Sequence, residues 1–275
     1  MLDTHFDPHP HGRVRVARLG RGEAVVLLHG YPDNLQVFSE LAPRLAAGYE
    51  VIAFDWPGLG DSDAWPGGAT PVVLARHLLA LLDYWQLGSV HLLGQDMGGQ
   101  PALVFAAAYP ERVRSLTVIN SLVGGAEATS WEISLLRRFG LNQLLLRHLP
   151  RLVFGRALYT FLPWGWPGLS AALRRELWRT FRRPAVREVV IRMCAGYEAQ
   201  LPRLPARYQR VQCPTLALWA EHDKHFPLAQ ARFLAAQVPG AQLQVLPGAR
   251  HWMVLSRAEE VAARLRAFWQ HLSAA

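Results

Sequence analysis

The residues Gly94-Gln95-Asp96-Met97-Gly98-Gly99 predict a sharp turn that presents a carboxylate for chemistry. They follow an apolar strand pattern and precede a helical one, and small residues on both sides let a strand turn directly into a helix. Such a turn exposes its central side chain at the top of a sheet, usually as the serine of G-x-S-x-G. Here that residue is Asp96. A carboxylate attacks ester and amide carbonyls poorly, but it displaces a leaving group from an sp3 carbon and forms an ester with the enzyme.

Two later residues complete a chain order of nucleophile, acid and histidine. Asp223 and His251 each follow an apolar strand pattern directly. Catalytic residues of open α/β sheets gather at the carboxyl ends of the strands, so we expect Asp96, Asp223 and His251 to meet there. We predict that Asp223 holds a neutral His251, which acts as the base. Glu221 is the alternative acid, and we interpret it as a solvated loop residue.

These motifs resemble the Asp-nucleophile branch of the α/β-hydrolase superfamily, which contains epoxide hydrolases and dehalogenases. The resemblance covers nearly the whole chain apart from an insert. It also rests on His29-Gly30-Tyr31-Pro32, which matches the His-Gly-x-Pro signature of that branch, and on the Gly-rich stretch 55–62. It implies an oxyanion hole formed by the backbone N–H groups of Tyr31 and Met97. It implies no metal and no organic cofactor.

Departures from the dehalogenase patterns bear on the substrate. Haloalkane dehalogenases hold the halide with a Trp after the nucleophile and an Asn in His-Gly-x-Pro, where this chain has Met97 and Tyr31. Fluoroacetate dehalogenases clamp a carboxylate with two arginines, where this chain has Met97 and Pro57. Epoxide hydrolases have an aromatic residue at the position of Tyr31. The resemblance therefore implies hydrolysis of an epoxide to a vicinal diol, with a small apolar electrophile as substrate.

Other functions stay open at this point. A haloalkane or haloacid dehalogenase would use the same two steps on a carbon–halogen bond. A catalytically silent protein of the hydrolase fold that only binds ligands is an alternative of another class, and the intact order of Asp96, Asp223 and His251 argues against it. The absence of a nucleophilic serine argues against an esterase or a lactonase.

The resemblance to epoxide hydrolases also implies tyrosines in a lid that donate a proton to the opening ring oxygen. Tyr197 matches such a position, because its helical pattern ends shortly before the strand that leads to Asp223. A second donor could be Tyr159 or His148, and the sequence does not distinguish between them.

Alternating patterns predict an α/β fold with a mostly parallel, doubly wound sheet. Runs that are apolar on both faces indicate buried strands, and they cover residues 14–19, 24–28, 49–54, 90–93, 115–122, 214–219 and 243–246. Helical patterns at 35–47, 72–87 and 100–108 alternate with these strands, and the alternation is then interrupted by helical patterns at 135–149, 171–181 and 185–201. We predict an α/β-hydrolase core of residues 1–123 and 210–275, and a helical cap of residues 124–209 that covers the strand ends and excludes water.

The composition is that of one globular domain. The 275 residues are 51% hydrophobic, which is enough for a full core. No apolar run of about 18 residues is present to cross a membrane, and the first residues lack an apolar signal core, so we expect a cytoplasmic protein. Cys194 and Cys213 are expected to be reduced, buried thiols. The spacing of His5, His9 and His11 matches no set of metal ligands.

Positive charge is concentrated in the predicted cap. Residues 131–210 contain 15 Arg and 4 Glu but no Lys or Asp, and Lys224 is the only lysine of the chain. A cationic cap could favour an anionic surface or anionic ligands, but we interpret the charge as a solvated helical face. No recognition module for nucleic acid accompanies it, so nucleic acid is not an expected partner.

Overall fold

A single eight-stranded sheet organises the computed structural model of the chain. The structure describes residues 1–124, 128–138, 140–163 and 169–273, without the side chains of residues 197, 198 and 273. The strand order is β1-β2-β4-β3-β5-β6-β7-β8. Strand β2 pairs antiparallel with both β1 and β4, and all the other pairs are parallel. The strands are β1 His5–Asp7, β2 Val14–Leu19, β3 Glu23–Leu28, β4 Tyr49–Phe54, β5 Val90–Gln95, β6 Val113–Ile119, β7 Thr215–Ala220 and β8 Gln242–Leu246.

Helices cover this sheet. The described residues form α1 Leu41–Leu45, α2 Pro71–Tyr84, α3 Gly99–Ala108, α4 Trp131–Arg137, α5 Leu141–His148, α6 Pro150–Phe161, α7 Ala171–Phe181, α8 Pro184–Gln200, α9 Pro205–Tyr208, α10 Leu228–Gln237, α11 Met253–Ser256 and α12 Ala258–Ser273. Helix α1 packs on α12 and on β4, and α2 packs on α3, which lies against β5 and β6.

The predicted fold class is confirmed. Every residue of β5 and of β7 is buried, as expected for inner parallel strands covered on both faces. The short strand β1 was not predicted, because it is largely exposed and carries no apolar run. None of the helices in the described part of the chain combines the length and the hydropathy that crossing a bilayer requires.

Proline and glycine account for most of the differences between predicted and observed helices. The helix expected over 135–149 is two helices, because Gly140 adopts a φ of +99° between α4 and α5. Helix α6 was not predicted, and it begins with Pro150 at a position where a missing N–H costs nothing. The helix expected over 35–47 is a 3₁₀ turn at Leu35–Phe38, capped by Asn34, followed by the short α1.

Helices α4 to α9 lie between β6 and β7 in the chain, and we call the described residues of 128–209 the cap. Polar contacts join it to the core. The amide of Asn34 donates to Thr180 Oγ1 over 3.0 Å, and the buried Arg15 forms ion pairs with Asp61 at 3.1 Å and with Glu176 of α7 at 2.6 Å. The exact boundaries of core and cap given by the sequence stay a prediction.

Glycine permits the close approach of the β5–α3 turn to β3. A Cβ atom on Gly98 would lie 2.3 Å from the carbonyl oxygen of Leu28, which is backbone and cannot move aside. The position of this turn therefore depends on the absence of a side chain at residue 98.

We expect Gly98→Ala to lower the free energy of unfolding by about 1–3 kcal/mol, as overpacking of a tight interior does. The matched control is Gly155→Ala in α6, where a Cβ would meet nothing within 4 Å. That change should instead raise stability by about 0.5–1 kcal/mol, because alanine favours a helix interior. Urea denaturation measures both, and equal stabilities for the two variants would contradict this account of the turn.

Candidate active site

The turn after β5 holds Asp96 in an unusual conformation. Asp96 has a φ of +51°, a region that non-glycine residues seldom adopt and that is often found at functional sites. The hydroxyl of Ser121 donates to the carbonyl oxygen of Asp96 over 2.6 Å, which fixes the strained backbone from below. The side chain is buried but lines a cavity.

Two backbone N–H groups point at the carboxylate of Asp96. Oδ1 accepts hydrogen bonds from Tyr31 N over 2.9 Å and from Met97 N over 2.5 Å. These are the two donors that the sequence predicts for an oxyanion hole. In an ester of Asp96 that uses Oδ2, Oδ1 becomes the carbonyl oxygen, so the same donors would face the negative charge that develops when water attacks.

His29 fixes the loop that carries Tyr31. Its Nδ1 lies 2.8 Å from the carbonyl oxygen of Gly30, and its Nε2 lies 3.2 Å from the backbone N of Trp56. Because Trp56 N–H can only donate, Nε2 must accept, and Nδ1 then carries the proton that bonds Gly30. The hydrogen bonds of this imidazole thereby hold one oxyanion donor in place.

His251 lies between two carboxylates. Its Nδ1 is 2.7 Å from Asp223 Oδ2, and its Nε2 is 3.2 Å from Asp96 Oδ2. The second contact has the distance of an ion pair without the angle of a hydrogen bond, so Nε2 has no hydrogen-bond partner among the described residues. The other oxygen of Asp223 accepts the backbone N–H groups of His225 and Phe226 over 2.8 and 3.0 Å, which orients the carboxylate.

The two carboxylates determine the protonation of His251. Burial by itself lowers its pKa, but the charge and hydrogen bond of Asp223, together with Asp96, outweigh burial and raise the pKa above its usual value. The imidazole is therefore protonated at neutral pH in the free protein. The prediction of a neutral His251 is wrong for this state, because it considered Asp223 alone and left out the charge of the nearby Asp96.

Asn120 connects the strand ends below the site, a role that the sequence did not reveal. It follows β6 with a φ of +46°. Its Nδ2 donates to the carbonyl oxygen of His251 over 2.8 Å, and its Oδ1 accepts from Ala220 N over 2.8 Å. A buried amide thus sets the distance between the end of β7 and the loop that carries the histidine.

An apolar cavity of about 130 Å3 reaches Asp96. A smaller pocket of about 40 Å3 also includes Asp96 and Tyr31 and is bounded by Met97, Met193 and Cys194. The residues that line the larger cavity are Tyr31, Asp96, Trp131, Glu132, Ile133, Leu135, Leu136, Leu145, Leu152, Val153, Arg156, Ala157, Phe161 and His225. Its walls come mainly from the cap helices α4 and α6, so the cap determines the shape of the space above the carboxylate.

The phenol of Tyr31 is a donor that sequence reasoning missed. Tyr31 lines both spaces around Asp96, and its hydroxyl is buried with no hydrogen-bond partner among the described residues. Burial, followed by the nearby Cys194 and Asp96, raises the pKa of Tyr31 well above its usual value, so the phenol keeps its proton. The sequence predicted a role only for the backbone N–H of Tyr31. The hydroxyl group on its aromatic ring was a further signal in the sequence.

Two cap contacts enclose the histidine. The ring of Phe161, at the end of α6, lies 4.2 Å from the ring of His251 between centroids. His225 bonds Ser130 Oγ through Nδ1 and Thr160 Oγ1 through Nε2, over 2.8 and 2.7 Å. Burial and the charge of His251 lower the pKa of His225 to about 4, so it is neutral and links the Asp223 loop to the cap.

The structure does not bring the other predicted lid donors to the cavity. Tyr159 is 61% exposed, and His148 is exposed at the end of α5; neither lines the cavity. The prediction of either as a second donor is wrong. For Tyr159 the reason is helix geometry, because α6 directs Ala157 and Phe161 towards the cavity and therefore directs Tyr159, which lies between them, outward. Position 197 lies in α8, and the side chain of Tyr197 is outside the described residues.

The raised pKa of His251 has a measurable consequence for stability. A folded-state pKa above the unfolded value of about 6.5 stabilises the fold fully below that pH, and this contribution is lost as pH rises through the folded-state value. The stability that wild type gains over His251→Gln should therefore be larger at about pH 6 than at about pH 9. Urea denaturation at both pH values measures the difference.

His225 supplies the control because its pKa is shifted the other way. A neutral buried histidine stabilises the fold above about pH 6.5, and this stability is lost as pH falls through the lowered folded-state pKa. The advantage of wild type over His225→Gln should shrink on acidification. If the stability difference between wild type and each of the two variants did not change with pH, the protonation states assigned to the two imidazoles would be incorrect.

Known proteins resemble this chain over most of its length. A hydrolase from Pseudomonas putida named for 2-hydroxy-6-oxononadienedioate and 2-hydroxy-6-oxononatrienedioate is 30% identical over 269 residues, which cover 92% of this chain and 90% of that protein. The solved 2-hydroxy-6-oxo-6-phenylhexa-2,4-dienoate hydrolase from Rhodococcus sp. strain RHA1 superposes with a TM-score of 0.84 at 22% identity, covering 98% of this chain and 99% of that one. The epoxide hydrolase CorEH gives a TM-score of 0.79 at 19% identity, covering 99% and 100%.

The structural similarities at this level of identity establish the fold, and the sequence match establishes the family. Residues 23–258 match the family described as the alpha/beta hydrolase fold, which is most of the chain. The eight-stranded sheet, the turn after β5 and the order of Asp96, Asp223 and His251 are what that fold provides. This chain is a hydrolase of the α/β fold and belongs to the α/β-hydrolase fold family.

Proposed function

We propose that this hydrolase opens epoxides to vicinal diols through an ester between Asp96 and the substrate. The observation that carries the proposal is the position of the carboxylate. Oδ1 is occupied by two N–H donors, whereas Oδ2 accepts neither of them and lies 3.2 Å from His251 Nε2, so Oδ2 is the oxygen left to attack. The apolar walls of the cavity suit a small apolar electrophile.

In the first step, Oδ2 of Asp96 attacks one ring carbon, and the bond from that carbon to the ring oxygen breaks. The oxygen leaves as an alkoxide, which needs a proton as it forms. The phenol of Tyr31 lines the same cavity and has no other hydrogen-bond partner among the described residues, so it can donate this proton. Tyr197 of α8, the donor implied by the resemblance, would then be a second donor to the same oxygen.

Esterification then changes the charge around His251. The ester of Asp96 is neutral, so one of the two carboxylates that raise the pKa of His251 is gone. The imidazolium gives up its proton, which restores the phenol of Tyr31. The resulting neutral imidazole, still held by Asp223, is the base that the second step requires.

In the second step, His251 takes a proton from water, and the hydroxide attacks the carbonyl carbon of the ester. The N–H groups of Tyr31 and Met97 hold the oxyanion at the former Oδ1. Collapse of this intermediate releases the diol oxygen, which takes the proton of the new carboxylic acid. The cycle ends with the Asp96 carboxylate and the protonated His251 of the free protein, so all protons are accounted for.

A dehalogenase remains the closest alternative in chemistry, but its leaving group needs a different site. A halide leaves as a stable anion and is held by N–H groups. In haloalkane dehalogenases those N–H groups belong to side chains, and the side chains of Tyr31 and Met97 carry none. The hydroxyl of Tyr31 lines the cavity and has no hydrogen-bond partner among the described residues, which suits an alkoxide that must be protonated.

A dienedioate substrate is the second candidate, and the relative from Pseudomonas putida is the observation that favours it. Arg156 on the cavity wall could meet a carboxylate. Its guanidinium, however, already forms hydrogen bonds with Glu132 over 2.9 and 3.0 Å, and the remaining wall is mostly apolar. Epoxide hydrolysis therefore fits the cavity better.

Oxygen-18 water tests the ester mechanism directly. With enzyme in excess over styrene oxide, the diol of the first turnover should contain no label, because its new oxygen comes from Asp96. The label should appear in the peptide that contains Asp96, as measured by mass spectrometry after proteolysis. Label in the diol of the first turnover would mean that water attacks the substrate directly, and the role proposed for Asp96 would be wrong.

Two variants separate the steps. His251→Gln should still form the adduct on Asp96 but hydrolyse it about 10²- to 10⁴-fold more slowly, the usual contribution of a general base. Asp96→Ala should form no adduct with either styrene oxide or a bromoalkane. A dienedioate that is turned over by Asp96→Ala would instead support the second candidate.

Tyr31→Phe tests the proton donor without changing the backbone N–H of the oxyanion hole. We expect alkylation of Asp96 by an epoxide to slow about 10²-fold, because the alkoxide loses its acid. Alkylation by a bromoalkane should slow by about tenfold or less, the value of one hydrogen bond to a charged group. Single-turnover mass spectrometry of the Asp96 peptide gives both rates.

Tyr159→Phe is the matched control, because its phenol is exposed and outside the cavity. It should leave both rates unchanged. If Tyr31→Phe has no effect on the epoxide while Tyr197→Phe slows it, the proton comes from α8 alone and the role of the Tyr31 phenol is refuted.

A further inference from the structure

Several large apolar side chains of the cap are exposed. Leu152 is 63% exposed, Trp131 is 59% exposed and Leu144 is 58% exposed. We define the cap face as these residues together with the exposed Leu141, Leu149 and Tyr159 and the arginines described next. They belong to α4, α5 and α6 and the turn between the last two, and these helices pack on one another in sequence. Contiguous exposed apolar surface usually marks an interaction site.

Unpaired arginines border this apolar surface. Arg151, Arg174 and Arg175 are exposed and line one open groove of about 300 Å3 between α6 and α7, whose floor is formed by Phe154, Leu158 and Trp178. Among the described residues these three arginines form no ion pair, in contrast to Arg147, which is paired with Glu188. The cap face therefore combines apolar side chains with positive charge that no internal carboxylate neutralises.

The cavity that contains Asp96 opens on the cap face. Trp131 and Leu152 line that cavity and are also among the most exposed apolar residues of the protein. Arg156, which lies over the ring of Tyr159 at 5.6 Å, borders the same opening. A substrate that enters here passes over leucine and tryptophan side chains before it reaches the carboxylate.

We propose that the cap face docks on an anionic membrane surface and takes apolar substrate from it. Leucine and tryptophan side chains can enter the boundary between headgroups and acyl chains, while the arginines meet lipid phosphates. A second copy of the chain fits less well, because a two-fold contact would place the arginines of one copy against those of the other. The proposal concerns binding at the surface and stands independently of the reaction assigned to Asp96.

Sedimentation with vesicles tests this docking. The protein should bind vesicles that contain phosphatidylglycerol at low salt, bind phosphatidylcholine vesicles much more weakly, and leave the anionic vesicles at high salt. Arg174→Gln and Arg175→Gln should each weaken partitioning about fivefold, the effect of one arginine near an anionic surface. Leu144→Ser should weaken it by about tenfold or more, because one leucine no longer leaves water.

Two control variants outside the cap test whether binding depends on the cap face rather than on the net charge or the stability of the protein. Arg232→Gln on α10 and Leu243→Ser on β8 change exposed residues of the same types outside the cap, and both should bind as wild type does. Circular dichroism verifies that each variant is folded. Absence of binding to anionic vesicles at low salt would refute the proposal. So would a dimer in sedimentation velocity that Leu144→Ser dissociates, because it would assign the cap face to a second copy.

Discussion

The carboxylate of Asp96 is where the separate parts of this structure meet. A buried negative charge is costly unless it is paired and hydrogen-bonded, and here two N–H groups and the imidazolium of His251 supply that compensation. The donors come from the ends of β3 and β5, and the histidine comes from the loop after β8. The groups around Asp96 must converge within hydrogen-bond distance. The close approach of Gly98 to the backbone of Leu28 and the hydrogen bond from Asn120 to the carbonyl oxygen of His251 both serve that convergence.

The features that the sequence predicted correctly depend on residues that are adjacent in the chain or that recur with a regular period. Runs that are apolar on both faces identified the inner strands within one to three residues, since burial in a parallel sheet dictates that pattern. The nucleophile turn was visible because its glycines and its carboxylate are adjacent in the chain. The partners that the sequence did not reveal are all distant: Asn120 contacts His251 across the sheet, and Phe161 reaches the same ring from the cap. The protonation of His251 likewise depends on two charges that only folding brings together.

The cap contributes to the site in two physically different ways. Through Phe161 and His225 it covers the histidine and anchors the Asp223 loop with hydrogen bonds to Ser130 and Thr160. Through α4 and α6 it forms the apolar wall of the cavity and much of the exposed cap face on which the cavity opens. A displacement of α6 would change both at once, because Thr160, Phe161 and Leu152 belong to the same helix.

Arginine supplies almost all of the positive charge of this protein, and the single lysine lies beside the opening of the cavity. Lys224 Nζ is 3.2 Å from Glu132, a cavity-lining residue, and its side chain is 44% exposed. Apart from the α-amino group of Met1, amine-directed reagents would therefore modify one side chain, whereas the guanidinium groups would not react. A fluorophore or spin label attached at Lys224 without any mutation would stand at the rim of the cavity, where it could report substrate entry and cap movement in the otherwise native chain.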